Sequence, residues 1–141
     1  FSFQIPMPKV STSCSFQILV VDDDEMSREL LGEEIELIGF RSAKADSWQS
    51  ALEYWREAEP EMALVDVCLP GRGGIELAAK MRLMAPERCL VSISGLPEQE
   101  QFFVDRGFDA HIGKPVTFSR LQGLLNRFLG PAPGVSNLVA N

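Results

Sequence analysis

Four stretches of the chain carry side chains that could do chemistry together: the run Asp22-Asp23-Asp24, then Asp66, Ser94 and Lys114. The carboxylates supply only hard oxygen donors, which suit Mg²⁺, with Mn²⁺ a second candidate, an ion that keeps several of its waters. An acidic string before a helix is ordinarily a solvated cap, and Asp24 reads that way. Asp22 and Asp23 differ, because Asp66 is expected beside them. Like charges ~4 Å apart at an effective dielectric near 20 repel by about 4 kcal/mol. Such a cluster must either raise a pKa or hold a cation. Asp66 itself can attack phosphorus and form an acyl phosphate. That attack needs positive charge on the equatorial oxygens, which Lys114 and a metal ion would supply. Ser94 offers a hydroxyl proton to a phosphoryl oxygen.

These residues act together only if the elements ahead of them are parallel strands ending on one edge. Phe16–Val21 is a continuous apolar run, as a strand buried on both faces should be. A helix follows, with Met26, Leu30, Leu31, Ile35 and Ile38 expected on its inner face and Gly39 closing it. Phe40–Ala45 reads as a second strand. Ser47 caps a helix in which Trp48, Ala51, Leu52 and Trp55 recur at three- and four-residue intervals. Met62–Val67 is a third strand, interrupted by Leu69-Pro70-Gly71 and the Gly73-Gly74 pair. A helix over 75–84 and a strand over Cys89–Ser94 come next. Pro97 opens a helix near 98–106 that ends at Gly107. Ala110–Ile112 is a short fifth strand, and Thr117 caps a last helix with Phe118, Leu121, Leu125 and Phe128 inward. Five strands alternating with five helices predict a doubly wound parallel sheet, whose ligands bind beyond the carboxyl ends of the strands.

The chain has 141 residues, enough for one domain with a real core. A formal charge of −7 disfavours a nucleic-acid surface. No apolar run approaches the ~18 residues a bilayer span needs, so no direct membrane contact is expected of this segment. Cys14, Cys68 and Cys89 form neither a CxxC pair nor a metal spacing and read as free thiols in a reducing cytoplasm. With a single histidine, a His-based catalytic centre or multi-His metal site is not expected.

Ile18-Leu-Val-Val-Asp-Asp-Asp, Leu64-Val-Asp-Val-Cys-Leu-Pro-Gly-Arg-Gly-Gly, Val91-Ser-Ile-Ser-Gly and Lys114-Pro115 resemble, in order and spacing, the motifs of response-regulator receiver domains. The resemblance covers about residues 16–129. It implies a flavodoxin-like sheet of order 2-1-3-4-5, a phosphoacceptor at Asp66 and an acidic pair at Asp22 and Asp23. Asp23 would touch Mg²⁺ directly, and the backbone carbonyl of Cys68 would be a further ligand. Ser94 would be the switch hydroxyl and Lys114 the phosphate-binding lysine, with a cis bond to Pro115. His111 stands where the family commonly has Tyr or Phe, so an inward swing of this ring on phosphorylation is one expectation. Cys68 and Leu96 would flank the phosphoryl group, and neither offers a good hydrogen bond to water, which implies a long-lived phosphoaspartate.

The resemblance also implies partners: a histidine kinase dimerisation domain, a histidine phosphotransfer protein, or both, meeting the first helix near Met26. The face made by the fourth helix, fifth strand and fifth helix would respond to phosphorylation, with Phe102 or Phe103 exposed there. Residues 1–15 read as the end of a preceding domain plus linker, and 130–141 as a C-terminal linker. Phe1-Ser-Phe-Gln-Ile-Pro-Met resembles the final strand of a histidine kinase ATP-binding domain, so the expected parent is a hybrid histidine kinase, possessing its own membrane anchor or not. Such a receiver promotes its own phosphorylation without turning over as an enzyme. The competing reading is a phosphorylation-independent pseudo-receiver that acts as a protein-binding module. A haloacid-dehalogenase-type phosphatase would need an Asp where Cys68 stands, and a flavin phosphate would be repelled by the acidic first loop.

Overall fold

The computed structural model describes residues 17–69, 73–96 and 99–132. The expected strand in residues 1–7, Pro97 and the tail beyond 132 lie outside these. In chain order the elements are β1 (Gln17–Val21), α1 (Glu25–Ile38), β2 (Arg41–Ala45), α2 (Trp48–Glu57), β3 (Met62–Asp66) and α3 (Gly73–Met84). β4 (Cys89–Ser94), α4 (Glu100–Val104), β5 (Ala110–Gly113) and α5 (Phe118–Leu129) complete the fold. All strand pairs are parallel and the sheet order is β2-β1-β3-β4-β5. No helix among the described residues is long and apolar enough to cross a membrane.

Successive strand side chains point to opposite faces, and both faces are covered. Leu19, Val21, Ala63, Val65 and Leu90 pack against α2, α3 and α4 through Trp55, Leu77, Met81 and Phe103. Ile18, Val20, Leu64, Val91 and Ile112 pack against α1 and α5 through Leu31, Ile35, Leu121 and Leu125. This double cover is why residues 18–21 and 62–65 read as unbroken apolar runs rather than as alternating ones. Ala132 still packs on the second of these clusters, so the chain stays on the domain past the end of α5.

The caps follow their sequence signals. Asp24 accepts from the Ser27 N–H, Ser47 from Ser50 and Thr117 from Arg120, and Gly39 closes α1 in the left-handed region at φ 119°. Two inner faces differ from expectation. Met26 and Leu30 are 81% and 55% exposed. Counted from buried Ile35, they lie about 180° and 140° around the helix at ~100° per residue, on the outer side. Phe118, in the first turn of α5 at the rim of the sheet, is 40% exposed, while Phe128 is half-buried. Helix α4 is shorter than expected, the chain turning at Asp105–Gly107 before Phe108.

The Gly73-Gly74 pair, expected to precede the third helix, instead forms its first two residues. Gly73 sits at φ 84°, and its carbonyl accepts from Trp48 Nε1 at 3.0 Å. A Cβ on Gly74 would lie 2.4 Å from the Asp66 carbonyl oxygen and 2.6 Å from Val67 Cα. The helix therefore starts in contact with the backbone that carries Asp66, an approach only glycine allows. Gly74→Ala should accordingly cost about 1–3 kcal/mol in denaturant unfolding, the range for forced overpacking. An unchanged midpoint would show that the contact is dispensable.

Candidate functional site

Asp22 follows β1, Asp66 and Ser94 end β3 and β4, and Lys114 follows β5, so the parallel sheet delivers all four to one rim. Asp22, Asp66 and Ser94 are buried, whereas Asp23 is exposed. Each buried group is oriented by nearby backbone. Asp22 Oδ1 accepts from the Asp24 N–H at 2.9 Å, and Asp66 Oδ1 accepts from the Cys68 N–H at 2.9 Å. Ser94 Oγ accepts from the Leu96 N–H at 3.0 Å, which leaves its own proton free to donate. The Arg28 guanidinium, reaching back from α1, donates to the Asp22 carbonyl at 2.9 Å.

Lys114 ties the rim together. Its Nζ is 3.1 Å from Asp66 Oδ2 and 3.5 Å from Asp22 Oδ2. Its backbone N–H donates to the Ser94 carbonyl at 2.9 Å, and the bond to Pro115 is cis. Carboxylate oxygens of Asp22, Asp23 and Asp66 lie within 4.8 Å of one another. Three carboxylates against one ammonium leave an uncompensated formal charge of −2 when all are ionised. Oxygen-only donors and that deficit fit a hard divalent cation.

The electrostatics carry the same strain. Burial pushes the Asp22 carboxyl above its ordinary value; the Asp24 N–H opposes this, and the Asp66 charge adds to it. Burial opposes charge on Lys114, but the Asp66 and Asp22 carboxylates overcome it and raise its pKa. Asp24 goes the other way. The Ser27 N–H and hydroxyl hold it below the ordinary range, as befits a solvated cap outside the cluster.

His111 is the position where sequence reading was least complete. Its ring lies over Phe103 of α4, centroids 4.0 Å apart and nearly parallel, and its Nδ1 is 2.7 Å from Ser92 Oγ. Its backbone N–H donates to Glu100 Oε2 at 3.2 Å. Burial lowers its pKa, with Glu100 opposing and Arg120 assisting. In this structure the ring already lies against Phe103 of α4. In the sequence its partner Ser92 is only a polar residue inside an apolar strand, and the pairing of Ser92 with His111 identifies its purpose. Of the two phenylalanines in α4, Phe103 is buried, and Phe102 is half-buried under the Arg106 guanidinium.

Residues 18–126 match the response regulator receiver domain family, and the chain belongs to it. It is 33% identical over 107 residues to the cyclic di-GMP phosphodiesterase of Thermotoga maritima, covering 74% of this chain and 28% of that protein. To the autoinducer 1 sensor kinase/phosphatase LuxN of Vibrio harveyi it is 26% identical over 113 residues, covering 79% and 13%. The solved receiver domain of NtrX from Brucella abortus is 31% identical with a TM-score of 0.75, covering 79% of this chain and 97% of that one. The chain thus spans 28% of the first curated relative and 13% of the second.

A proton and a metal ion would compete for Asp22. Mg²⁺ affinity should therefore weaken as pH is lowered through the raised pKa of Asp22, and Asp22→Asn should lose that part of the dependence. In metal-free protein the raised carboxyl favours proton binding by the folded state. Asp22→Asn should then gain stability over the parent above the raised pKa, with the gain vanishing as pH falls toward 3.8. Calorimetric Mg²⁺ titration and thermal melts across pH check both; a pH-independent difference would assign the strain elsewhere.

Proposed function

We propose that this chain accepts a phosphoryl group from phosphohistidine onto Asp66 in a Mg²⁺-dependent reaction, within a phosphorelay. The observation that carries this reading is the Lys114 ammonium lodged between the Asp66 and Asp22 carboxylates. In the step, an Asp66 oxygen bonds to phosphorus as the donor's P–N bond breaks, and the donor imidazole leaves with the electron pair. The Cys68 N–H fixes the carboxylate for that approach. Lys114 neutralises one phosphoryl oxygen, and the Ser94 hydroxyl donates to another. Asp22, Asp23 and Asp66, with the Cys68 carbonyl in the role the resemblance implies, would hold the ion. When bound there, Mg²⁺ would supply the remaining positive charge.

The donors and acceptors that fit are a histidine kinase dimerisation domain and a histidine phosphotransfer protein. The exposed Met26 beside the acidic rim supports α1 as the surface where either would dock. Likeness to a sensor kinase/phosphatase and the alternating run over residues 1–7 support a hybrid histidine kinase as the parent chain. From there the phosphoryl group would pass to a partner, or would bias the α4–β5–α5 face toward a second arrangement.

Incubation with acetyl phosphate and Mg²⁺ should add about 80 Da, the mass of one phosphoryl group on an activated side chain. Asp66→Asn should abolish the gain, and Lys114→Ala should slow it by about 10²-fold, the cost of one preorganised charge. No gain in the parent protein would support a phosphorylation-independent binding module instead. With exposed Cys68 and Leu96 flanking the site and no good hydrogen-bonding group on either, the phosphoaspartate should be long-lived. A half-life of seconds by radiolabel chase would overturn that expectation.

A further inference from the structure

Helix α1 carries a second apolar stripe, on the side turned away from the sheet. Met26, Leu30 and Leu37 are 81%, 55% and 74% exposed. With exposed Glu33 they recur at i, i+4, i+7 and i+11, the spacing of one continuous helix face. Glu25, Glu29 and Glu36 lie along one flank of the stripe, Glu29 paired with Lys44, and Glu33 stands on the crest, so the ridge is apolar with acidic charge at its centre and along one side.

Helix α5 is the counterpart. Between Phe118 and Leu129 its charged residues are Arg120 and Arg127 alone, on a chain of net charge −7. Both are exposed, and among the described residues neither makes an ion pair. Between them on the same outer face stands Gly123. A Cβ there would meet nothing within 4 Å, and its φ is not left-handed, so neither internal packing nor backbone conformation calls for glycine. Glycine is nevertheless the poorest helix former after proline. A notch without an internal occupant, flanked by two arginines, has the shape and charge to take a bulky acidic ridge. The two arginines stand seven residues apart, about 10.5 Å along the helix, and Glu25 to Glu33 spans about 12 Å at the same rise.

We propose that the occupant is a second copy of this chain: the α1 ridge of each copy seats on the Arg120–Gly123–Arg127 face of α5 in the other. Because α1 and α5 lie side by side on one face of the sheet, both contacts form about a single two-fold axis, the closed symmetry most homodimers use. The ridge includes Met26, so pairing and docking of a phosphotransfer partner compete for one surface. The pairing itself does not rest on the phosphoryl-acceptor reading, since it invokes no residue of the site.

Sedimentation equilibrium of the chain at low and high salt tests it. A monomer–dimer equilibrium that weakens with salt is expected, because its charges are exposed at the rim. Arg120→Glu with Arg127→Glu should weaken pairing at least tenfold, and so should Glu33→Arg. Mixing those two variants should restore a heterodimer of opposite charge. Gly123→Gln, which fills the notch and favours the helix, should raise the thermal midpoint yet weaken pairing. Uptake from acetyl phosphate, measured on every variant, separates failure of this interface from failure of the acceptor site. A chain that stays monomeric throughout the concentration range, or pairing that survives both charge reversals, overturns the proposal.

Discussion

The carboxylates at the sheet rim repel one another, and the molecule is arranged around making that repulsion tolerable. Asp22 and Asp66 are nearly inaccessible to water, which removes the solvent screening that makes acidic clusters harmless on a surface. What remains is local compensation. One backbone N–H is aimed at each of the two carboxylates, a guanidinium caps the Asp22 carbonyl, and one ammonium lies within reach of both. The balance is short of neutral, and a divalent ion would have the charge and ligand preference to close it.

Holding the groups there is a problem of backbone placement rather than of side-chain reach. Parallel strands bring their last residues to a common edge, and tight turns after β1, β3 and β4 fold the N–H two residues on back onto the side chain. Behind Asp66 the support is unusually close. Gly74 allows α3 to start against the Asp66 carbonyl, and Trp48 reaches across from α2 to the Gly73 carbonyl. Burial of Trp55 with its indole N–H bonded to the Met81 carbonyl ties α2 to the far end of the same helix. Strand β3 is thereby braced at its Asp66 end by two helices that contribute none of the rim's charged groups.

Much of this was legible in the residues. Strands buried on both faces announce themselves as unbroken apolar runs, and caps depend on one residue type at one position, as Asp24, Ser47, Thr117 and Gly39 show. The misreadings share a cause. Apolar Met26 and Leu30 read as inward residues, yet α1 has apolar residues on two sides and its own periodicity does not say which side meets the sheet. Gly73 and Gly74 resembled a turn because a glycine's demand for close approach depends on what approaches. Ser92 resembled a minor blemish in a strand until the register put it opposite His111.

The chain's order of residue types thus determined the alternating elements, their caps and the set of reactive groups, because those depend on local conformation and on burial averaged over a strand or helix. Only the assembled structure decided which carboxylate oxygens Lys114 reaches, which N–H orients each acid, and which face of α1 stays outside. Those outcomes depend on contacts between residues up to 92 positions apart, as between Lys114 and Asp22. A local pattern carries no record of distances across the sheet, and the charge balance at the rim is made of such distances.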